Sequence, residues 1–366
     1  MYAGIQVQRL VTALILIIVV GLSVSGCQAS QGIGTKPATQ TLAPTGQIKS
    51  TSSLEIKPAK TDTPIGSNQT ACFETYLDPI AFMPDNSRIL VKVNTGVQIY
   101  NLEKLKEERF LKSPTNLNDG PAAALSVDGE TLAWALIDNT IQLIRVSDGK
   151  VLHTLVGHTG PITKLRFSQS GDRLFSASHD GWVRIWNSNG KQVNAFQPGG
   201  GEVLGIGVSL DGTILATIPL DGPVKLWDTK NLQEFTELGG TGGYDTSDVA
   251  FSMDGHYIAA DLATGLSVWD ARNQTLLWDG INSMAFAFSP VGTMMAYSDI
   301  GEDNNIVLSS SDGKQKLNKL ESPHGPVWEL IFSPDGSLLA SADGVEIRIW
   351  QVEDGKLLYI GKNVCP

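Results

Sequence analysis

Residues 157–196, GHTGPITKLRFSQSGDRLFSASHDGWVRIWNSNGKQVNAF, alternate short apolar runs with tight polar turns. Residues 165–167 predict a first strand, RLFSAS (173–178) a second, WVRIW (182–186) a third and QVNAF (192–196) a fourth. The intervening turns SQSGD, HDG and NSNGK carry Gly or Asn-Gly, which supply the positive φ that tight hairpins require. Four antiparallel strands in chain order make a meander. One meander cannot cover both of its own faces.

The pattern recurs in AFMPDNSRIL, ALSVDGETLA, GVSLDGTILA, AFSMDGHYIA, AFSPVGTMMA and IFSPDGSLLA. The turn position falls at Asn86, Gly129, Gly171, Gly212, Gly255, Gly292 and Gly336, at spacings of 43, 42, 41, 43, 37 and 44 residues. That is the period of a four-stranded propeller blade. Packing each sheet against its neighbours covers the faces, and closing the ring removes the exposed ends. The expected fold is therefore all-β: a seven-bladed β-propeller of four-stranded antiparallel blades over residues 72–366. No segment carries an apolar stripe at helical spacing apart from a short charged piece at 103–109. The last copy has a fourth strand of its own in KLLYI (356–360), so it need not borrow one from the N-terminal side.

The quoted repeat resembles the WD40 family. It has the Gly157-His158 dipeptide, Asp180 in the turn before the third strand, and Trp186 six residues later. The resemblance implies a hydrogen-bonded chain of His158, Ser176, Asp180 and Trp186. Such a chain satisfies a buried imidazole and a buried carboxylate, so its role is structural despite its likeness to a Ser-His-Asp catalytic set. Trp227-Asp228 and Trp269-Asp270 keep the dipeptide that names the family, Trp350 is followed by Gln351, and Ile144 stands where the second copy would carry its Trp. The seventh copy has His324, Ser341 and Asp343, but the Asp lies seven residues before Trp350, which departs from the pattern. The first and sixth copies match only in their turns and strands. The resemblance also implies a partner-binding rim formed by the second-to-third-strand hairpins and the inter-blade connections. The residues opening the first strands there align as Asp78, Thr163, Leu204, Ser247, Met284 and Trp328. Leu204, Met284 and Trp328 make that ring apolar, and His179 with Trp182 forms a second patch. Packing between blades is the alternative role for each.

The N-terminus reads as an export signal. Arg9 precedes an apolar run at 10–22, followed by small residues and Cys27. The run is shorter than the ~20 residues of a spanning helix. Val24-Ser25-Gly26-Cys27 resembles the bacterial lipobox, which implies cleavage after residue 26, a diacylglyceryl group on Cys27 and an extracytoplasmic protein anchored to a bacterial membrane. Residues 27–71 follow as lipidated Cys and a Ser/Thr/Pro-rich stretch without an aromatic residue, expected to be a disordered tether. Cys72 and Cys365 bracket the repeats. In a closed ring those ends are neighbours, and an oxidising compartment permits a Cys72–Cys365 disulfide, worth up to about 5 kcal/mol by chain entropy.

The formal charge is −11. Residues 1–71 carry Arg9, Lys36, Lys49, Lys57 and Lys60 against Glu55 and Asp62, a net of +3, so the remainder carries −14. That argues against nucleic acid as a partner. The five histidines are scattered, none at zinc-ligand spacing, and the Gly runs PGGGE and LGGTGGYD lie between blades rather than before a helix. SDIGEDNN lacks the alternating ligands of a calcium loop and reads as an enlarged hairpin. Carboxylates and histidines do not recur at matched positions near the axis. No catalytic, cofactor or metal motif is expected. The expected function is a lipid-anchored, non-enzymatic scaffold at the cell envelope, binding a protein or peptide at the rim. The alternative is an exported propeller enzyme or small-ligand binder, of hydrolase or quinone-dependent dehydrogenase type, using the central channel.

Overall fold

The computed structural model describes residues 71–72, 77–104, 106–114, 122–243, 248–301, 304–322 and 325–362. Cys27, Ser247, His324 and Cys365 lie outside them. Seven four-stranded antiparallel sheets span 78–112, 123–155, 162–196, 203–239, 248–281, 286–320 and 329–362, here blades 1 to 7. Each follows chain order, with its first strand innermost. In blade 3 the strands are Ile162–Phe167, Arg173–Ser178, Val183–Asn187 and Gln192–Phe196. The charged stretch at 103–109 is not helical. It ends a turn and enters the outer strand Lys106–Lys112, because an exposed edge strand needs no apolar stripe.

The turn chemistry explains why the repeat is visible at all. All seven predicted turn positions have positive φ, from 58° at Asn86 to 75° at Gly129. Blades 2, 4, 5 and 7 share a Ser-x-Asp-Gly device. Ser209 Oγ donates to Asp211 Oδ1 at 2.7 Å and accepts from the Ile214 N–H at 2.9 Å, while Asp211 also accepts from the Thr213 N–H at 3.0 Å. Ser126, Ser252 and Ser333 make the same bonds. The serine is buried in each copy, so the hairpin closes without an orphaned polar group.

The first strands contact one another around the axis, and Asp78–Phe82 of blade 1 contacts Glu329–Phe332 of blade 7, closing the ring. The core is seven seams, each shared by two adjacent blades. Successive residues of a strand serve opposite seams, as the two-residue period demands. Leu174 packs toward blade 2 and Phe175 toward blade 4. Second strands are therefore buried on both faces and read as nearly unbroken apolar runs.

Each seam also receives one large aromatic from its following blade. Tyr100, Trp186, Trp227, Trp269 and Trp350 supply it from third strands. In blade 2 the third-strand position is Ile144, and Trp134 on the second strand fills the seam instead. Blade 6 does the same, with Tyr297 on the second strand and Ser309 at the third-strand position. The two positions are diagonal neighbours on one face of the sheet, so a large and a small residue can exchange places at nearly constant volume.

At the closing seam, Leu77, Phe82 and Tyr100 pack with Ile347, Ile349 and Tyr359. The Tyr359 hydroxyl donates to that of Tyr100 at 3.0 Å. Blade 7 owns its fourth strand, Leu357–Lys362, and gains a fifth: Ala71–Cys72 pairs with it in parallel, Cys72 opposite Lys362. Both ends of the repeat array thus meet on one blade.

Blade 4 approaches blade 5 closely because its first strand carries Gly207. A Cβ there would lie 2.3 Å from the Val249 carbonyl oxygen, and backbone cannot move aside as a side-chain tip can. Gly207→Ala is expected to cost about 1–3 kcal/mol, the usual range for overpacking, measured as a lowered midpoint in urea unfolding.

Candidate functional site

Two polar constellations stand out, one inside blade 3 and one around the axis. In the first, His158 Nδ1 lies 2.9 Å from Asp180 Oδ2, and His158 Nε2 lies 2.8 Å from Ser176 Oγ. The Trp186 indole N–H donates to Ser176 Oγ at 2.9 Å. Asp180 also accepts from the N–H groups of Thr159 and Trp182. Burial pushes the Asp180 carboxyl up, but these hydrogen bonds more than offset it and hold it below the usual carboxylate range. Burial pushes the His158 imidazole down against the pull of Asp180. A neutral imidazole beside a carboxylate has one consistent arrangement: Nδ1–H donates to Asp180, Nε2 accepts from the Ser176 hydroxyl, and Ser176 accepts from Trp186. Ser176 is 0% exposed, so no substrate can reach its oxygen. The chain ties the second strand, the third strand and the preceding connection together.

Its tryptophan bond has counterparts in three other blades. Trp227 donates to Thr217 and Trp350 to Ser341, each at 2.9 Å, while Trp269 donates to the Leu238 carbonyl at 3.1 Å. In blade 7, Asp343 pairs with the buried Arg348 at 3.2 Å, which also pairs with Glu346; His324 of that copy lies outside the described residues. Ser176→Ala would leave the Trp186 N–H and His158 Nε2 unpaired. It is expected to lower stability by about 1–3 kcal/mol, read as a fall in melting temperature with the fold retained by circular dichroism.

The second constellation follows from topology. First strands start, and second strands end, on the face that carries the second-to-third-strand hairpins and the inter-blade connections. Lys164, Asp248 and Glu329 occupy one register position there, opposite Ala177, Asp261 and Ala342 on their second strands. Asp78 reaches that register too, opposite Lys92, with a bulge following Pro79. In blade 4 the position is Gly205, opposite Ile218. Gly205 therefore places no side chain at that position between blade 3 and blade 5. Arg166 makes two 2.7 Å bonds to the Asp248 carboxylate, and Lys164 joins it at 3.3 Å. Lys92 pairs with Asp78 at 2.6 Å. Carboxylates do therefore recur at matched first-strand positions on blades 1, 5 and 7, contrary to the sequence reading. That reading aligned the strand openings one residue early, on Thr163, Ser247 and Trp328, and in a strand a one-residue offset selects the other face.

Of the expected rim residues, Leu204 is buried, Met284 and Trp182 are half-buried, and Trp328 is 38% exposed. Trp182 lies under the Arg184 guanidinium, 5.5 Å from its ring centre, and His179 is 3.8 Å from Glu202. All lie on the same face as the axial charges.

Among the described residues, no cation is bonded to the axial carboxyls of Asp261 and Glu329. Asp261 is 2% exposed and its Oδ1 lacks a hydrogen-bond partner. Burial, then Asp248, push it up to about 7, with Lys164 pulling the other way. Burial, then Asp78, push Glu329 up to about 8; Asp248 adds to this, and Lys164 and Arg166 oppose it. Asp248 itself feels the push of burial but is held low by Arg166 and Lys164. In the unfolded chain the two raised groups ionise near 3.8 and 4.5. From there to about 7 and 8 the folded state binds more protons, so stability falls as pH rises through that window. The Asp261→Asn/Glu329→Gln double variant is expected to flatten this loss, measured by urea unfolding at pH 5 and pH 8.

The sequence model of the family described as WD domain, G-beta repeat matches residues 149–187 and 314–351, which fall in blades 2–3 and 6–7. The yeast (Saccharomyces cerevisiae) protein named COMPASS component SWD3 is 25% identical over 271 residues, 71% of this chain and 82% of that protein. Periodic tryptophan protein 2, also from Saccharomyces cerevisiae, is 25% identical over 63% of this chain, which spans 30% of its length. WD repeat-containing protein SL1-17 of Schistosoma mansoni is 28% identical over 50% of this chain and 63% of its own length. With seven seams, the shared turn device and these matches together, the chain is a seven-bladed β-propeller that carries WD40 repeats.

Proposed function

We propose that this protein is a non-enzymatic interaction scaffold, exported and lipid-anchored through Cys27, whose protein or peptide partner docks on the face that carries the inter-blade connections. The observation that carries this reading is Trp328, 38% exposed on that face beside the axial charges, with Trp182 and Met284 half-buried on the same rim. A tryptophan left in water costs burial energy that a partner would recover, and such residues dominate interface energetics. The name of the yeast relative, a component of a larger assembly, fits the same use. Anchoring rests on the signal-like residues 1–26 and Cys27, with residues 27–71 as the tether. Nucleic acid is not the partner in this reading, since the repeat region carries most of the acidic charge.

A Cys72–Cys365 disulfide belongs to the proposal. Its support is the parallel pairing of Cys72 with Lys362, three residues before Cys365. In an oxidising compartment the bond would lock the fifth strand onto blade 7.

Crosslinking followed by mass spectrometry on intact cells tests the whole reading. The expected result is a mature chain starting at a lipid-modified Cys27, no free thiol at Cys72 or Cys365 without reductant, and one protein neighbour crosslinked to the rim. Trp328→Ala together with Trp182→Ala is expected to weaken that neighbour's capture at least tenfold, about 1.4 kcal/mol. An unprocessed N-terminus would overturn the anchor, and capture that is indifferent to both tryptophans would overturn the docking face.

A further inference from the structure

The two seams that take their large aromatic from a second strand are finished differently. Trp134 serves the seam between blades 1 and 2, and Tyr297 that between blades 5 and 6, with Ile144 and Ser309 at the third-strand positions. Moving the bulk one strand inward leaves room further out. Between blades 5 and 6 that room is taken by Trp278, from the outer strand Thr275–Ile281 of blade 5. Its ring centre lies 6.0 Å from that of Tyr297, and its indole N–H donates to the Asp312 carbonyl at 2.6 Å. Gly313 makes space for it, since a Cβ there would lie 1.8 Å from Trp278 Nε1. The matching position on blade 1 is Arg109. Trp278 stands opposite Val268 and Arg109 opposite Ile99, each one residue before the third-strand aromatic. Arg109 is exposed, and its guanidinium donates to the Ser147 carbonyl. A Cβ at Gly149 would meet the Leu111 side chain, at 3.2 Å, and not Arg109. A cleft of about 580 Å³ remains there, lined by Trp134, Asp148 and Gly149, the counterparts of the three residues that hold Trp278. Phe110 and Val151 of the two outer strands, 38% and 42% exposed, flank it, so it opens on the outer wall of the ring.

We propose that the cleft between blades 1 and 2 binds a small aromatic acid, a flat ring of indole class that bears a carboxylate. The chain's own indole between blades 5 and 6 shows which ring such walls accept. Arg109 offers a guanidinium to the face of that ring, a favourable pairing of cation and aromatic. Asp148 is already paired with Arg145 at 2.9 Å. Arg109 and Lys112, which both line the cleft, therefore leave it a positive surplus, and a carboxylate is the complementary charge. The volume lies within the range of small-molecule sites. No protein partner is needed, so the proposal does not rest on the docking reading.

The test is calorimetric titration of the purified full chain with three probes: indole-3-acetate, indole and a blocked Gly-Trp-Gly tripeptide. Indole-3-acetate is expected to bind saturably and more tightly than the other two. Arg109→Trp, which copies the plug between blades 5 and 6, is expected to weaken that binding at least about tenfold, with the fold and melting temperature retained. Lys112→Met, a surface change, is expected to weaken indole-3-acetate about threefold and to leave indole unaffected. Trp278→Ala opens the matching room between blades 5 and 6. It is expected to gain a site for indole, read as a rise in that variant's melting temperature on adding indole. No saturable binding of indole-3-acetate, binding untouched by Arg109→Trp, or a Trp278→Ala variant indifferent to indole overturns the proposal. Tighter binding of the tripeptide than of indole-3-acetate overturns it too, because the occupant would then be a peptide side chain.

Discussion

Every blade of this protein must be covered on both faces, and the seams between blades are where that requirement is met. A four-stranded sheet has two apolar faces and no second layer of its own, so it is stable only as a neighbour of two others. The alternation of Leu174 and Phe175 toward opposite seams is that constraint written into one strand. The large aromatic at each seam is its bulkiest expression. Its volume is what matters, since Trp134 and Tyr297 serve from the second strand as Trp186 and Trp350 do from the third.

Polar groups divide into two kinds. The His158–Ser176–Asp180–Trp186 chain is complete, with each donor meeting an acceptor, so it fastens three segments without leaving an unpaired group. The axial set is incomplete, because Asp261 Oδ1 has no partner and Glu329 stands beside other carboxylates. A structure that needed only stability would have filled both positions with apolar residues. The contrast separates a closed hydrogen-bond network from carboxyls that burial and like charge leave poorly matched.

Much of the fold was legible because turns impose strict local chemistry. Gly or Asn at positive φ and the Ser-x-Asp hydrogen bonds recur whatever the strands contain, so the period could be counted directly. The aromatic exchange in blades 2 and 6 was not legible, since Ile144 looks like a lost tryptophan until Trp134 is seen on the same face. The axial charges were missed for a related reason. Strand openings carry no turn signal, so they were placed one residue early, and the bulge in blade 1 brings Asp78 into a register that counting from Phe82 would give to Pro79. The fifth strand was equally silent, because Ala71–Cys72 is too short to show any periodicity.

The ring position shared by Asp78, Lys164, Asp248 and Glu329 carries charge on odd-numbered blades, with the small Gly205 between two of them. In a ring with an even number of members, a pattern of every second place closes on itself. With seven it cannot: blades 7 and 1 are adjacent and both are occupied, so Glu329 and Asp78 face each other with like sign. Parity thus builds a permanent defect into one seam, and Lys92 relieves only one side of it. Burial comes first in raising the proton affinity of Glu329, and the like charge of Asp78, which an odd blade count places in the next blade, adds to it.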